Sequence, residues 1–152
     1  MSNVDHPSHY NVGEEVIDLI EDLNLSFCIG NWLKYFCRYP YKNNPVEDYE
    51  KGLWYLKREL EKGCQQIYKD EPYEGWSFRS RCLEFGQSWD FSTSKAIIFM
   101  DVMEYVNSGR PSYLQSAIRD MTRDKPQESD FPAIYTSKKV YFDSYHEHGN
   151  GD

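Results

Sequence analysis

The chain has 152 residues with 17 basic and 25 acidic side chains, so its formal net charge at pH 7 is -8. This length predicts one domain with a substantial core, and the acidic balance argues against duplex nucleic acid as the main partner, because phosphate backbones favour clustered basic charge. No apolar run approaches the roughly 20 residues that span a bilayer and no signal peptide is evident, so we expect a soluble protein of a reducing compartment without membrane partners.

The cysteines and aromatic residues are informative in different ways. The four cysteines form no CxxC pair, so neither a zinc site nor a disulfide framework is indicated. Cys28 and Cys37 fall within a helical apolar pattern, where free thiols usually serve as small core residues. Aromatic residues make up 16% of the chain, which fits base stacking, a protein interface or a Tyr-rich core. From this surplus we expect a homo-oligomer.

The N-terminal residues predict an arm and two helices. Pro7 disfavours helix, so residues 1–12 are expected to form an ordered arm or loop. Glu14 to Leu23 predicts a first helix with an apolar stripe on one side and acids on the other. Ser26 can cap a second helix, which must end before Pro40.

A turn and a third helix follow. The segment from Tyr39 to Pro45 contains two prolines and two asparagines and predicts a turn. The third helix has acids in its first turn, where the helix dipole favours negative charge, and its apolar residues keep helical spacing. Gly63 is its expected end. The alternative is a helix that continues to about Tyr68.

The second half of the chain gives a weaker pattern. Pro72 to Phe91 combines aromatic residues with scattered Gly and Ser and predicts an irregular segment. Ser94 to Asn107 predicts a helix, and Pro111 to Arg123 predicts another, since proline favours the first helical position. Ile134 to Phe142 can form a short edge strand or hairpin, and the last residues are expected to be disordered.

These elements predict a mainly α fold. We expect a compact helical domain with a three-helix N-terminal core, an aromatic-rich middle segment, two further helices and a short C-terminal hairpin. Residues 1–69 would form the core and residues 70–125 would extend the same domain. Residues 126–152 would form a partly disordered tail.

A polar face on the second predicted helix is the strongest candidate for ligand binding. It consists of Asn31, Lys34, Tyr35 and Arg38. The spacing i, i+3, i+4 and i+7 places an amide, a phenol and two cations on one side of a helix. Such a face suits phosphate. The alternative is a solvated face on which Lys34 and Arg38 pair with acids of the first helix.

Several unusual pieces of sequence occur in a familiar order. They are HPSHY from His6 to Tyr10, EVID from Glu15 to Asp18, FCIGN from Phe27 to Asn31, then Lys34, Tyr35 and Arg38, and LWYL from Leu53 to Leu56 with Glu59. They resemble a family of small proteins from tailed bacteriophages, often labelled nucleotide kinases after a coliphage member that moves phosphate between deoxynucleotides without a P-loop. The resemblance covers about Asp5 to Lys62. The chain departs from the family after Arg38, where YPYK replaces a small residue, a glycine and paired lysines.

The resemblance and the chemistry of these side chains together predict a nucleotide site. There is no GxxxxGK[ST] motif, so a Walker-type cradle is excluded, and a kinase would rely on side chains that position and neutralise phosphate. The cations would hold phosphate, two histidines would lie over it, and an amide with an aromatic ring would hold sugar or base. The expected residues are His6 and His9 as acid–base groups, and Tyr10, Asn31, Lys34, Tyr35, Arg38, Lys42, Trp54 and Lys57 as nucleotide ligands. In the alternative, His9 and Tyr10 cap the helix bundle and Asn31 is a buried structural amide.

Three functions fit these features. The first is a phage protein in the cytoplasm of an infected bacterium that binds a phosphorylated nucleotide, with or without P-loop-free kinase activity, and that would use Mg²⁺ if it is an enzyme. The second is a non-catalytic sponge that sequesters a nucleotide signal of host immunity. The third is an all-α, Mg²⁺-dependent nucleotide pyrophosphatase. Its metal ligands would come from Glu15, Asp18, Glu21, Asp22, Glu47 and Glu50.

Overall fold

The computed structural model describes residues 12–63 and 75–131. Within these ranges the chain forms six α helices and no β strand, which confirms the mainly α prediction. The helices are α1 Val16–Leu23, α2 Phe27–Arg38, α3 Pro45–Glu61, α4 Gly75–Ser88, α5 Thr93–Ser108 and α6 Pro111–Arg123. None of these described helices has the length and apolar character that crossing a membrane requires. The predicted C-terminal hairpin lies outside the described residues.

The first two helices end where local signals predict. Asn24 adopts a left-handed conformation with φ of 50° and ends α1. Ser26 caps α2, because its Oγ accepts a hydrogen bond of 3.2 Å from the Ile29 N–H. The helix ends at Arg38, and the predicted turn contains a short 3-10 helix, Tyr39–Tyr41, which three further residues separate from α3.

The third helix ends at Glu61, so the alternative of a helix continuing to about Tyr68 is wrong. Gly63 adopts a φ of 78°, a conformation that only glycine takes up readily. Its N–H donates to the Leu60 carbonyl at 3.2 Å. The glycine therefore ends the helix, as predicted.

The prediction of an irregular segment from Pro72 to Phe91 is wrong, because most of it forms α4. The buried residues of this segment have helical spacing: Phe78, Cys82, Phe85 and Trp89 are separated by four, three and four positions. The predicted helices at Ser94–Asn107 and Pro111–Arg123 are confirmed as α5 and α6.

One hydrophobic core joins the N-terminal helices to α4, α5 and α6. Buried polar contacts connect α2 and α3 to α6: Tyr49 donates its hydroxyl to the Met121 carbonyl at 2.8 Å, and Trp32 donates its indole N–H to the Met121 sulfur at 3.2 Å. The segment before α1 packs against the end of α4, where Trp89 Nε1 donates to the Glu14 carbonyl at 2.9 Å. The core thus holds α1, α2 and α3 in fixed relative positions.

Candidate functional site

A surface groove of about 240 Å³ lies between α1 and α2. Apolar side chains of α1 form one wall, among them Ile17 and Ile20. The other wall belongs to α2 and contains Asn31, Lys34 and Arg38. The groove therefore places two cations and an amide opposite an apolar surface.

The structure separates the four residues of the predicted polar face. Asn31, Lys34 and Arg38 line the groove, whereas Tyr35 is buried between α2 and α3. Successive residues of an α helix are rotated by about 100°, so Lys34 and Tyr35 point to different neighbours. The Tyr35 ring stacks on Tyr55 with centroids 6.1 Å apart. Tyr35 therefore belongs to the contact between α2 and α3.

The side chain of Asn31 is partly used within its own helix. Its Nδ2 donates to the Phe27 carbonyl at 2.9 Å, four residues earlier. This bond orients the amide, and the carboxamide oxygen is the atom that can accept a hydrogen bond from a ligand. Asn31 is half-buried, so the alternative of a buried amide is wrong in its burial, and the bond within the helix is compatible with a ligand role.

The other predicted ligands that the structure describes do not line this groove. Lys42 is half-buried after the 3-10 helix, and Lys57 is exposed on α3. Trp54 is 56% exposed, and the Arg58 guanidinium lies 6.0 Å from its ring centroid. His6, His9 and Tyr10 lie outside the described residues.

Phe27 is a groove residue that the sequence reasoning did not single out. It is 76% exposed, lines the groove, and its ring meets Tyr55 edge to face with centroids 6.0 Å apart. A signal was present, because Phe27 lies four residues before Asn31 and seven before Lys34, on the same helical stripe. An exposed aromatic residue beside two cations can stack on a planar ligand.

Glu59 is a fully buried carboxylate beside the start of α2. It accepts hydrogen bonds from Ser26 Oγ at 2.9 Å and from the Tyr105 hydroxyl at 2.5 Å, and so connects α2, α3 and α5. The pKa of the Cys28 thiol is raised, mainly by burial and to a smaller extent by the charge of Glu59, while the charge of Arg58 acts in the opposite direction. A raised pKa disfavours the thiolate, so Cys28 is not an activated nucleophile.

The described carboxylates named for the pyrophosphatase alternative are dispersed. Among the residues that the structure describes, no three His, Cys, Asp or Glu side chains come close enough to hold one metal ion. Their ion pairs join Asp22 to Arg81 at 3.1 Å, Glu47 to Lys51 at 3.9 Å and Glu50 to Lys125 at 2.7 Å. These pairs account for three of the six acids as structural and surface charges. The groove, where three polar side chains converge, is therefore the better candidate site.

Comparison with curated proteins and with solved structures gives no match. Residues 4–57 match the model of a family described as a protein of unknown function, DUF3310. This range is less than half of the chain, includes the groove, and ends within α3, so that α4, α5 and α6 lie outside it. The N-terminal part of the chain is therefore similar to that family, whose description states no activity.

Proposed function

We propose that the protein binds a phosphorylated nucleotide in the groove between α1 and α2. The observation that carries this proposal is the convergence of Lys34, Arg38 and Asn31 on one wall, with the exposed ring of Phe27 also lining the groove. The resemblance of the N-terminal sequence to tailed-bacteriophage proteins labelled nucleotide kinases supports the same ligand class.

The groove has the chemistry that each part of a nucleotide needs. Lys34 supplies a point charge and Arg38 a planar fork of donors, both suited to phosphate oxygens. The apolar wall formed by Ile17 and Ile20 lowers the local dielectric constant, which strengthens these charge interactions. Phe27 offers its ring to the base.

The size of the groove limits what it can enclose. Its volume of about 240 Å³ is below the range of roughly 300–1,000 Å³ that encloses a drug-sized ligand. We therefore expect phosphate and sugar to occupy the groove while the base stays outside against Phe27. This arrangement would give weak discrimination among bases, because ring stacking accepts any of them.

The described groove residues supply binding groups, and catalysis needs additional ones. An amide, two cations and an aromatic ring can hold a ground-state ligand, whereas turnover requires groups that act on the transition state. The predicted acid–base groups, His6 and His9, lie outside the described residues. The proposal has two forms. In the first, the protein is a nucleotide kinase that acts with Mg²⁺ in the cytoplasm of an infected host. In the second, it sequesters a nucleotide signal of the host.

The decisive experiment is a binding titration with a panel of nucleoside mono-, di- and triphosphates, using Lys34→Ala with Arg38→Ala. Losing two charged hydrogen-bond donors should weaken binding by at least about 100-fold, at roughly 1.5–3 kcal/mol each. The matched control is Lys42→Ala with Lys57→Ala, which removes the same charge outside the groove. Equal losses in the two variants, or none in the first, would contradict the groove assignment, provided circular dichroism shows unchanged helix.

Mass spectrometry of the ligand after denaturation separates the two forms of the proposal. A nucleotide released with an altered phosphate count indicates turnover by a kinase or a pyrophosphatase, and an intact one indicates sequestration. Light scattering tests the expected homo-oligomer, which a monomer at micromolar concentration would exclude.

A further inference from the structure

Helices α2 and α3 run antiparallel and share one face, because the start of α2 contacts the later part of α3 and the residue after α2 contacts its early part. Each helix contributes one stripe with the spacing i, i+4, i+7 and i+11. The α2 stripe is Phe27, Asn31, Lys34 and Arg38, and the α3 stripe is Lys51, Tyr55, Arg58 and Lys62 at its C-terminal end. These eight residues, which we call the basic face, include five cations and no acid in a chain of net charge -8.

Contacts between side chains place the two stripes on one surface. The rings of Phe27 and Tyr55 meet across the helix pair, with centroids 6.0 Å apart. Tyr35 lies between the stripes, and the Nζ atoms of Lys34 and Lys51 lie 4.9 Å and 5.9 Å from its ring centroid. Cations from both helices therefore surround one set of stacked tyrosines.

Large aromatic side chains are exposed at this surface. Phe27 is 76% exposed, and Trp54, beside the α3 stripe, is 56% exposed. The Trp54 ring is perpendicular to Tyr55, with centroids 5.1 Å apart, and the Arg58 guanidinium lies 6.0 Å from its centroid. Exposed rings interleaved with cations form the arrangement by which proteins hold unpaired bases and their phosphates.

We propose that the basic face binds single-stranded nucleic acid. Each stripe extends about 16 Å along its helix, which is enough for a few nucleotides. The five cations attract a polyanion to this face, while the more acidic remainder of the chain repels it elsewhere. Glu47, which pairs with Lys51 at 3.9 Å, is an acid at the edge of the face.

The same observations disfavour other occupants. A second copy of the chain would bring like charges together if it docked through the same face. A duplex keeps its bases stacked inside, where Phe27 and Trp54 could not reach them. An acidic peptide would satisfy the charges but would leave the exposed rings without planar partners, so it serves as a competing ligand in the test.

The inference goes beyond the nucleotide groove, although Lys34 and Arg38 belong to both surfaces. Its test therefore uses residues outside the groove: Lys51→Glu with Arg58→Glu for the charges, and Trp54→Ala for stacking. The matched control is Arg110→Glu with Arg119→Glu, which changes net charge equally at exposed positions of α6 and its N-terminal boundary. The probe is a fluorescein-labelled deoxythymidine oligomer of about ten nucleotides, followed by fluorescence anisotropy.

We expect the wild-type protein to bind this probe and to release it as salt rises. Reversing Lys51 and Arg58 should reduce affinity at least tenfold and flatten the slope of log affinity against log salt by about 1.4, at roughly 0.7 per phosphate contact. Trp54→Ala should weaken binding about tenfold, and the α6 control should bind as the wild type does.

Four results would overturn the proposal. They are absence of wild-type binding at about 50 mM salt, equal loss in the α6 control, tighter binding to duplex of the same length, and displacement of the probe by polyglutamate at equal charge. The mononucleotide titration is repeated on the Lys51 and Arg58 variant. Retention of mononucleotide binding shows that the face, and not the groove, was disrupted, so the two proposals fail separately.

Discussion

Lys95 offers a quantitative test of the packing around α2 and α5. Its Nζ lies 4.3 Å from the ring centroid of Tyr39, 5.0 Å from that of Phe36 and 5.1 Å from that of Phe91. Within the described part of the chain no carboxylate forms an ion pair with it. Burial lowers the pKa of the Lys95 amine from 10.5 to about 8, while the buried Cys37 acts in the opposite direction.

The size of the effect follows from this pKa. The pKa falls from 10.5 to about 8, and one pKa unit corresponds to roughly 1.4 kcal/mol. Below pH 8 the charged amine therefore destabilises the fold by ~3 kcal/mol. Attraction to the three rings offsets about 1–2 kcal/mol. Lys95→Met keeps the apolar stem and removes the charge, so we expect it to raise the free energy of unfolding at pH 7 by about 1–2 kcal/mol.

The sign of the pH dependence is fixed by proton binding. Between about pH 8 and 10.5 the unfolded chain holds the Lys95 proton more tightly than the folded chain, so the contribution of Lys95 to stability improves as pH rises through this window. The buried Cys37 thiol and the half-buried Tyr39 hydroxyl, whose pKa values are each raised to about 12 by burial, make stability fall as pH rises, in both proteins. The difference in the free energy of unfolding between the Lys95→Met variant and the wild type therefore gives the contribution of Lys95 alone.

The assay is urea unfolding of both proteins at several pH values from 7 to 9.5. We expect the advantage of Lys95→Met to shrink as pH rises above about 8. Lys57→Met, at an exposed position of α3, is the matched control and should show no such trend. A Lys95→Met protein that is less stable than the wild type at pH 7, or an advantage independent of pH, would refute the reasoning.

The remaining predictions concern the free energy of unfolding in urea. Tyr105→Phe removes a hydrogen bond to the buried Glu59 carboxylate and should cost about 2 kcal/mol. Gly13→Ala would place a Cβ 2.6 Å from the Trp89 ring and should cost about 1–3 kcal/mol. A Cβ added at Gly63 would meet no atom within 4 Å, but the alanine would have to adopt a φ of 78°. Gly63→Ala should therefore cost about 1 kcal/mol.

Two of these changes have a matched comparison. Tyr113→Phe, at a half-buried tyrosine of α6, should change stability by less than about 0.5 kcal/mol. Gly63→Asn should cost less than Gly63→Ala, because asparagine tolerates left-handed backbone better. An unchanged urea midpoint for Tyr105→Phe would mean that the Glu59 carboxylate is fully hydrogen-bonded without the Tyr105 hydroxyl. A neutral Gly13→Ala would show that the segment before α1 is not packed on Trp89.

The error at α4 has a physical explanation. Gly, Ser and aromatic residues between Pro72 and Phe91 have weak intrinsic helix propensity, and the segment was therefore expected to be irregular. Burial overrides that preference, because Phe78 and Phe85 reach the core only if the segment is helical. The spacing of the buried residues was the stronger signal.

The candidate site was only partly predictable for a related reason. The spacing of Asn31, Lys34 and Arg38 correctly indicated that these side chains share a helix face. It could not show that Tyr35 turns into the contact with α3, nor that Phe27 stays exposed at the end of the groove. Both outcomes depend on the positions of α1 and α3.

The amino-acid sequence by itself determined where most helices begin and end, because a capping serine, a left-handed glycine and a helix-starting proline act on their immediate neighbours. It also determined that residues 24–69 hold eight basic and five acidic side chains within an acidic chain. Only the tertiary structure decided which of those residues form the groove and which form the basic face. The physical reason is that each helix offers several sides, and contacts between residues far apart in sequence select the side that is buried.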